Sequence, residues 1–165
     1  MIRVDRGPEP ASLAQTRAVE LARVRHALLS GQPLSAALIG DRYRPHREAL
    51  HAAQRMKCCW CERLEILRNR DVEHYRPKAS ARGRDGVQRE GWWWLAWSWH
   101  NLMFSCDRCN RAEKNDRFPL RDEQARLQQT EQQWMAALSA SPFNAESDYL
   151  AALLDEAQRV ALQQL

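Results

Sequence analysis

Three features of the 165-residue sequence predict an α+β fold, mostly helical, with a small cross-linked centre. Two C-x-x-C pairs, Cys58/Cys61 and Cys106/Cys109, stand 44 residues apart. Two short strand-like runs, 71–75 and 101–105, lie inside that interval. On either side of it, apolar residues recur at spacings of three and four, the period of a helix.

The chain then divides into an N-terminal helical extension over 1–56, a central unit over 57–120 and a C-terminal helical extension over 121–165. An apolar fraction of 44% is enough for a core. No apolar run approaches the roughly 18 residues of a membrane span, and the first residues lead into a polar, proline-containing stretch rather than a signal sequence. These features predict a cytoplasmic protein with no membrane partner. The charge of +4 is uneven, net +5 over 1–57, +3 over 58–120 and −4 over 121–165. A basic front and centre suits a polyanion, whereas an acidic tail suits packing or a protein partner.

From residue 11 to 30 the pattern is helical, with Ala14, Ala18, Leu21, Val24 and Leu28 on one face and Gly31 available as a cap. Residues 34–39 read as a short helix stopped by Gly40. A further helix begins near Pro45, carries Leu50, Ala53 and Met56, and runs into the first cysteine pair. His26, His46 and His51 lack a partner motif and read as structural. Residues 62–70 read as a charged linker or short helix, and 71–75 as a strand ended by Pro77. The Gly- and Arg-rich stretch 79–91 has no periodicity and reads as an exposed loop. Trp92, Trp93, Trp94, Trp97 and Trp99 hold five of the seven tryptophans and, by area per residue, read as core. A helix is expected from Asp107 to Phe118-Pro119, another over 121–138, and a last amphipathic one over 146–165.

The chemistry starts with the cysteines. Without an export signal, paired C-x-x-C spacing points to one tetrahedral structural zinc held by Cys58, Cys61, Cys106 and Cys109. Cys59 is left over as a small residue of the knuckle. Between the pairs, Glu73-His74 offers a carboxylate for a hard cation and an imidazole able to take a proton from water. Neighbouring strand residues face opposite ways, so both serve one site only where the strand ends or bends, and Pro77 marks such an end. Beyond Cys109, Asn110 projects to a different side of the helix from its neighbour, and Lys114 follows one turn later.

The order C-x-x-C, V-E-H-Y-R-P-K, W-x-N-L, C-x-x-C-N with a lysine four residues on, and F-P-L resembles the HNH endonuclease family in its zinc-bound, His-Asn-Asn form. More narrowly it is similar to the PtuB-type HNH proteins of the bacterial Septu antiphage system and related retron effectors, over about residues 57–120. The resemblance implies a ββα-metal core within the α+β fold. It implies His74 as general base, Glu73 and Asn110 as ligands of a catalytic divalent cation, and Asn101 as the residue orienting the His74 loop. Arg76, Lys78 and Lys114 are its candidate phosphate contacts. DNA is the implied substrate, and an ABC-type ATPase like PtuA the implied partner through the terminal helices. Because the last position is Asn110 rather than His, an oxygen-loving cation such as Mg²⁺ or Mn²⁺ is expected in place of a second zinc. The rival reading is a non-catalytic zinc-ribbon-like DNA-binding or adaptor protein, which needs the cysteines but not Glu73, His74 and Asn110.

Overall fold

The computed structural model describes residues 6–65, 70–121 and 123, with Arg70 described by its backbone alone. The chain separates into two compact units, Met1–Ala125 and Arg126–Leu165. The helices expected over 121–138 and 146–165 lie outside the described residues, apart from Arg121 and Glu123.

The described unit is α+β. Three helices come first, α1 (Ala11–Leu29), α2 (Ala36–Ile39) and α3 (Arg47–Ala53). Strands β1 (Arg70–His74), β2 (Ser80–Arg82), β3 (Gln88–Glu90) and β4 (Leu102–Cys106) follow, and a helix, α4 (Arg108–Lys114), comes last. β1 and β4 form one antiparallel sheet in which Asp71 faces Ser105 and His74 faces Leu102; β2 and β3 form another. α3 packs on the β1/β4 sheet, and α4 leaves directly from β4.

α1 forms as its periodicity predicts, but its buried face is Leu13, Glu20, Val24 and Ala27. Of the predicted stripe only Val24 is fully buried; Ala18 is exposed and the rest sit on the flank. The reason is Glu20, which faces inward because Arg23 and Arg42 meet its carboxylate at 2.8 and 3.1 Å. Hydrophobicity alone misses a buried charge that brings its own partners. α2 starts at Ser35, whose hydroxyl accepts from the Leu38 N–H at 3.0 Å, and stops at Gly40.

The stretch 79–91 is a β-hairpin rather than an irregular loop. Gly86 supplies the positive φ of 75° at its turn, and Asp85 accepts from both terminal guanidinium nitrogens of Arg89. At the hairpin's end a Cβ on Gly91 would lie 2.6 Å from the Pro77 carbonyl oxygen. Glycine there lets the tryptophan run dock on the chain that leaves β1, with Gly91 N–H donating to Ala79 and Trp92 N–H to Pro77. All five clustered tryptophans are buried, as their area demands.

α4 is shorter than predicted, ending at Lys114 with Asn115 at φ 43°. Its closing bond runs from Asn115 N–H to the Asn110 carbonyl, five residues back, the wide π-type turn. The chain then returns to the hairpin, where the Arg82 N–H donates to the Asp116 carbonyl and the Phe118 N–H to the Arg82 carbonyl.

Candidate metal and active sites

The four predicted zinc ligands converge. Their sulfur atoms all lie within 4.8 Å of one another, and the Cys61 and Cys106 sulfurs are 4.0 Å apart. Four thiolates around one zinc, at a Zn–S distance near 2.3 Å, require separations of about 3.8 Å, so the cluster has the size and donors to hold one zinc ion. Among the described residues it is the one group of three or more His, Cys, Asp or Glu side chains gathered in this way.

Local backbone prepares these sulfurs. The Cys58 thiol is pulled down to about 3, first by the Cys59 thiol donor, then by the N–H groups of Cys61 and Cys106 and the Ser105 hydroxyl. Burial pushes the Cys106 and Cys109 thiols up. The knuckle is tied to the sheet by the Cys59 N–H, which donates to the Phe104 carbonyl at 3.2 Å. Cys59 is buried beside the cluster and outside it.

Around β1 the polar residues fall on two faces. On one, Asp71 and Glu73 meet α4. Both Asp71 oxygens accept from Arg111 at 2.7 and 3.0 Å, and this guanidinium, followed by the Asn110 amide, holds its carboxyl below the usual range. Glu73, 2% exposed, pairs with Lys114 at 3.0 Å. Burial pushes its carboxyl up to about 7 despite the ammonium. Four residues along α4 thus match two along β1, with Asn110 at Asp71 and Lys114 at Glu73.

His74 turns the other way, as strand alternation demands. Its Nε2 lies 2.9 Å from the Ala96 carbonyl, and its ring meets Tyr43 edge to face at 4.5 Å between centroids. A carbonyl only accepts, so Nε2 carries the proton and Nδ1 is the basic nitrogen of the neutral ring. Burial, then the ammonium of Lys78, lowers its pKa to about 3, and Lys114 acts in the same direction. The imidazole is neutral at pH 7.

Asn101 closes the turn after His74. Its Oδ1 accepts from the Arg76 N–H at 2.9 Å, and its Nδ2 donates to the carbonyls of Arg76 and Leu95, each at 3.1 Å. The three cations proposed for phosphate all have internal partners. The Arg76 guanidinium sits 5.5 Å from the Trp92 ring and 5.8 Å from Phe118, Lys78 donates to Gly40 and Tyr43, and Lys114 pairs with Glu73.

With this arrangement in view, sequence comparison is informative. Over 73 residues, 42% of this chain, the sequence is 41% identical to the Septu protein PtuB of Bacillus mycoides (strain KBAB4). The chain is related to PtuB. The match spans 25% of that protein's length. No family model matches the sequence, and no solved structure matches it.

Three residues around β1 and β4 carry no sequence motif of their own. Tyr43 lay in a segment read only for its helices. Asp71 stood in the same motif as Glu73, and the period-two spacing that puts both on one face was the available signal. Gln54 held no motif at all, yet it is 3% exposed and bonds both backbone groups of Phe104.

Proposed function

We propose that this chain is a metal-dependent HNH-type endonuclease that hydrolyses phosphodiester bonds in DNA. We further propose that it is the nuclease of a bacterial antiphage system, working with an ABC-type ATPase like PtuA. The observation that carries the reading is the unit formed by β1, β4 and α4. Its members run strand, strand, helix in chain order with the β2/β3 hairpin between the strands; Glu73 and His74 end β1 on opposite faces, Asn101 leads into β4 and Asn110 lies on α4. The cysteine pair Cys106/Cys109 brackets the start of that helix. The relation to PtuB supports the defence role.

The zinc of Cys58, Cys61, Cys106 and Cys109 is structural in this account. The second site has oxygen donors in Glu73 and Asn110, and a cation bound there would displace Lys114 from its pairing with Glu73 at 3.0 Å. Glu73 and Asn110 would hold a Mg²⁺ or Mn²⁺ ion, which when bound neutralises charge growing on the phosphate and the leaving oxygen. His74 takes a proton from water on Nδ1 as the water oxygen bonds to phosphorus. The bond from phosphorus to the 3′-oxygen breaks, and that oxygen leaves with the electron pair and acquires a proton. The products are a 5′-phosphate and a 3′-hydroxyl. Asn101 holds the turn that fixes His74, while Arg76 and Lys114 add positive charge beside it that attracts the backbone; the Lys78 ammonium is turned to Gly40 and Tyr43.

Plasmid cleavage by zinc-loaded protein, with Mg²⁺, Mn²⁺ or additional Zn²⁺ supplied separately, tests the metal assignment. Nicking with Mg²⁺ or Mn²⁺ is expected. Full activity with Zn²⁺ alone contradicts it.

A further inference from the structure

We propose that Tyr43, held in place by Lys78, is a positioning residue for His74, which makes the N-terminal region a working part of the site. The inference rests on the reading of His74 as general base. One hydrogen bond, to Ala96, fixes the Nε2 end of the imidazole. A ring anchored at one end can still swing about that bond, carrying Nδ1 away from an attacking water. Tyr43 blocks the swing, with its ring perpendicular to the imidazole at 4.5 Å between centroids. It comes from the turn between α2 and α3, far upstream in sequence, and is 6% exposed.

Tyr43 is itself secured. The Lys78 ammonium donates to its hydroxyl and, at 3.1 Å, to the Gly40 carbonyl, and lies 4.2 Å from the centroid of its ring. Lys78 follows Arg76, whose backbone Asn101 clamps on both sides. Residues 40–43, the turn after β1 and the Asn101 amide thereby form a closed circuit around His74. In this role Lys78 acts through Tyr43, and its ammonium is spent on the protein.

The test compares the zinc-loaded parent with Tyr43→Leu, Tyr43→Phe, Lys78→Met and His74→Ala. It reads kcat and KM for plasmid nicking, and the ¹⁵N signature of the His74 tautomer in protein without DNA. Tyr43→Leu should lower kcat by roughly tenfold to a hundredfold, the scale of a misplaced catalytic group. Its KM should hold within about twofold, since binding of the ground state is untouched. Its zinc content should match the parent's, and the single Nε2–H signature should give way to mixed tautomers. Tyr43→Phe keeps the ring and should stay within about threefold of the parent. Lys78→Met should lower kcat by a smaller factor, and it carries the decision if Tyr43→Leu does not fold. Parent-like kcat and an unchanged signature in Tyr43→Leu, with His74→Ala inactive, would overturn the proposal. So would a Lys78→Met that raises KM and leaves kcat alone, as a pure phosphate contact does. If His74→Ala nicks as the parent does, the base assignment fails, and the tautomer signature alone decides whether Tyr43 fixes the ring.

Discussion

Asn101 spends its whole side-chain amide on backbone, with one oxygen accepting and one nitrogen donating twice. It is 3% exposed, so truncation removes the side-chain bonds to the Arg76 N–H and the Arg76 carbonyl, while the Leu95 carbonyl keeps the Ser98 N–H. Losing a buried bond of this kind costs about 1–3 kcal/mol. Asn101→Ala should lower stability by at least that amount, read as a drop in urea midpoint, while the four cysteines still bind zinc. Lys78 gives a residue-scale pH dependence. Burial lowers it to about 8 from 10.5, so between those values the unfolded chain binds a proton that the native one does not. Stability from this group therefore rises with pH across that window and is lost as pH falls through about 8. Urea titrations across the window should show the parent gaining on Lys78→Met; parallel curves would count against the burial.

At the scale of elements, the edge of β4 is held by two side branches of the chain. Gln54, at the end of α3, accepts from the Phe104 N–H at 2.7 Å and donates to its carbonyl at 2.9 Å. It thus acts as a one-residue strand, tying α3 to the sheet beside the four-cysteine cluster. Gln54→Ala should cost about 1–3 kcal/mol and loosen hydrogen-exchange protection along β4 more than along α1. What could be read from sequence at this scale follows the physics of each element. The tryptophan run, the strand pair and α1 are written in area, β-type composition and period, and those properties survive any tertiary context. The inward turn of Glu20 is not, because it depends on Arg42 arriving from another segment. The hairpin at 80–90 was signalled by Asp85-Gly86, a favoured turn pair, but its strands have only three residues each and no apolar alternation. The early stop of α4 rests on Asn115, where Phe118-Pro119 offered a stronger but later signal. The cysteines, Glu73, His74, Asn101 and Asn110 were visible as motif residues. Tyr43 was invisible, since its role exists only once the turn before α3 lies against β1.

The described unit gathers four cysteines that could hold one zinc ion. The cysteine pairs fasten the knuckle after α3 to the junction of β4 and α4, and a structural zinc at such a site contributes about 10–16 kcal/mol to folding. That is comparable to the whole net stability of a typical domain, about 5–15 kcal/mol. A strong chelator, or Cys106→Ser, should therefore unfold the protein cooperatively, seen as joint loss of tryptophan burial and far-ultraviolet ellipticity. Loss of His74 should do neither. Scaffold and chemistry are thus separable by plasmid nicking with zinc-loaded His74→Ala in Mg²⁺ or Mn²⁺. Parent-like zinc content and fold with nicking abolished are expected; a His74→Ala protein that nicks as fast as the parent would contradict the role of His74 as base.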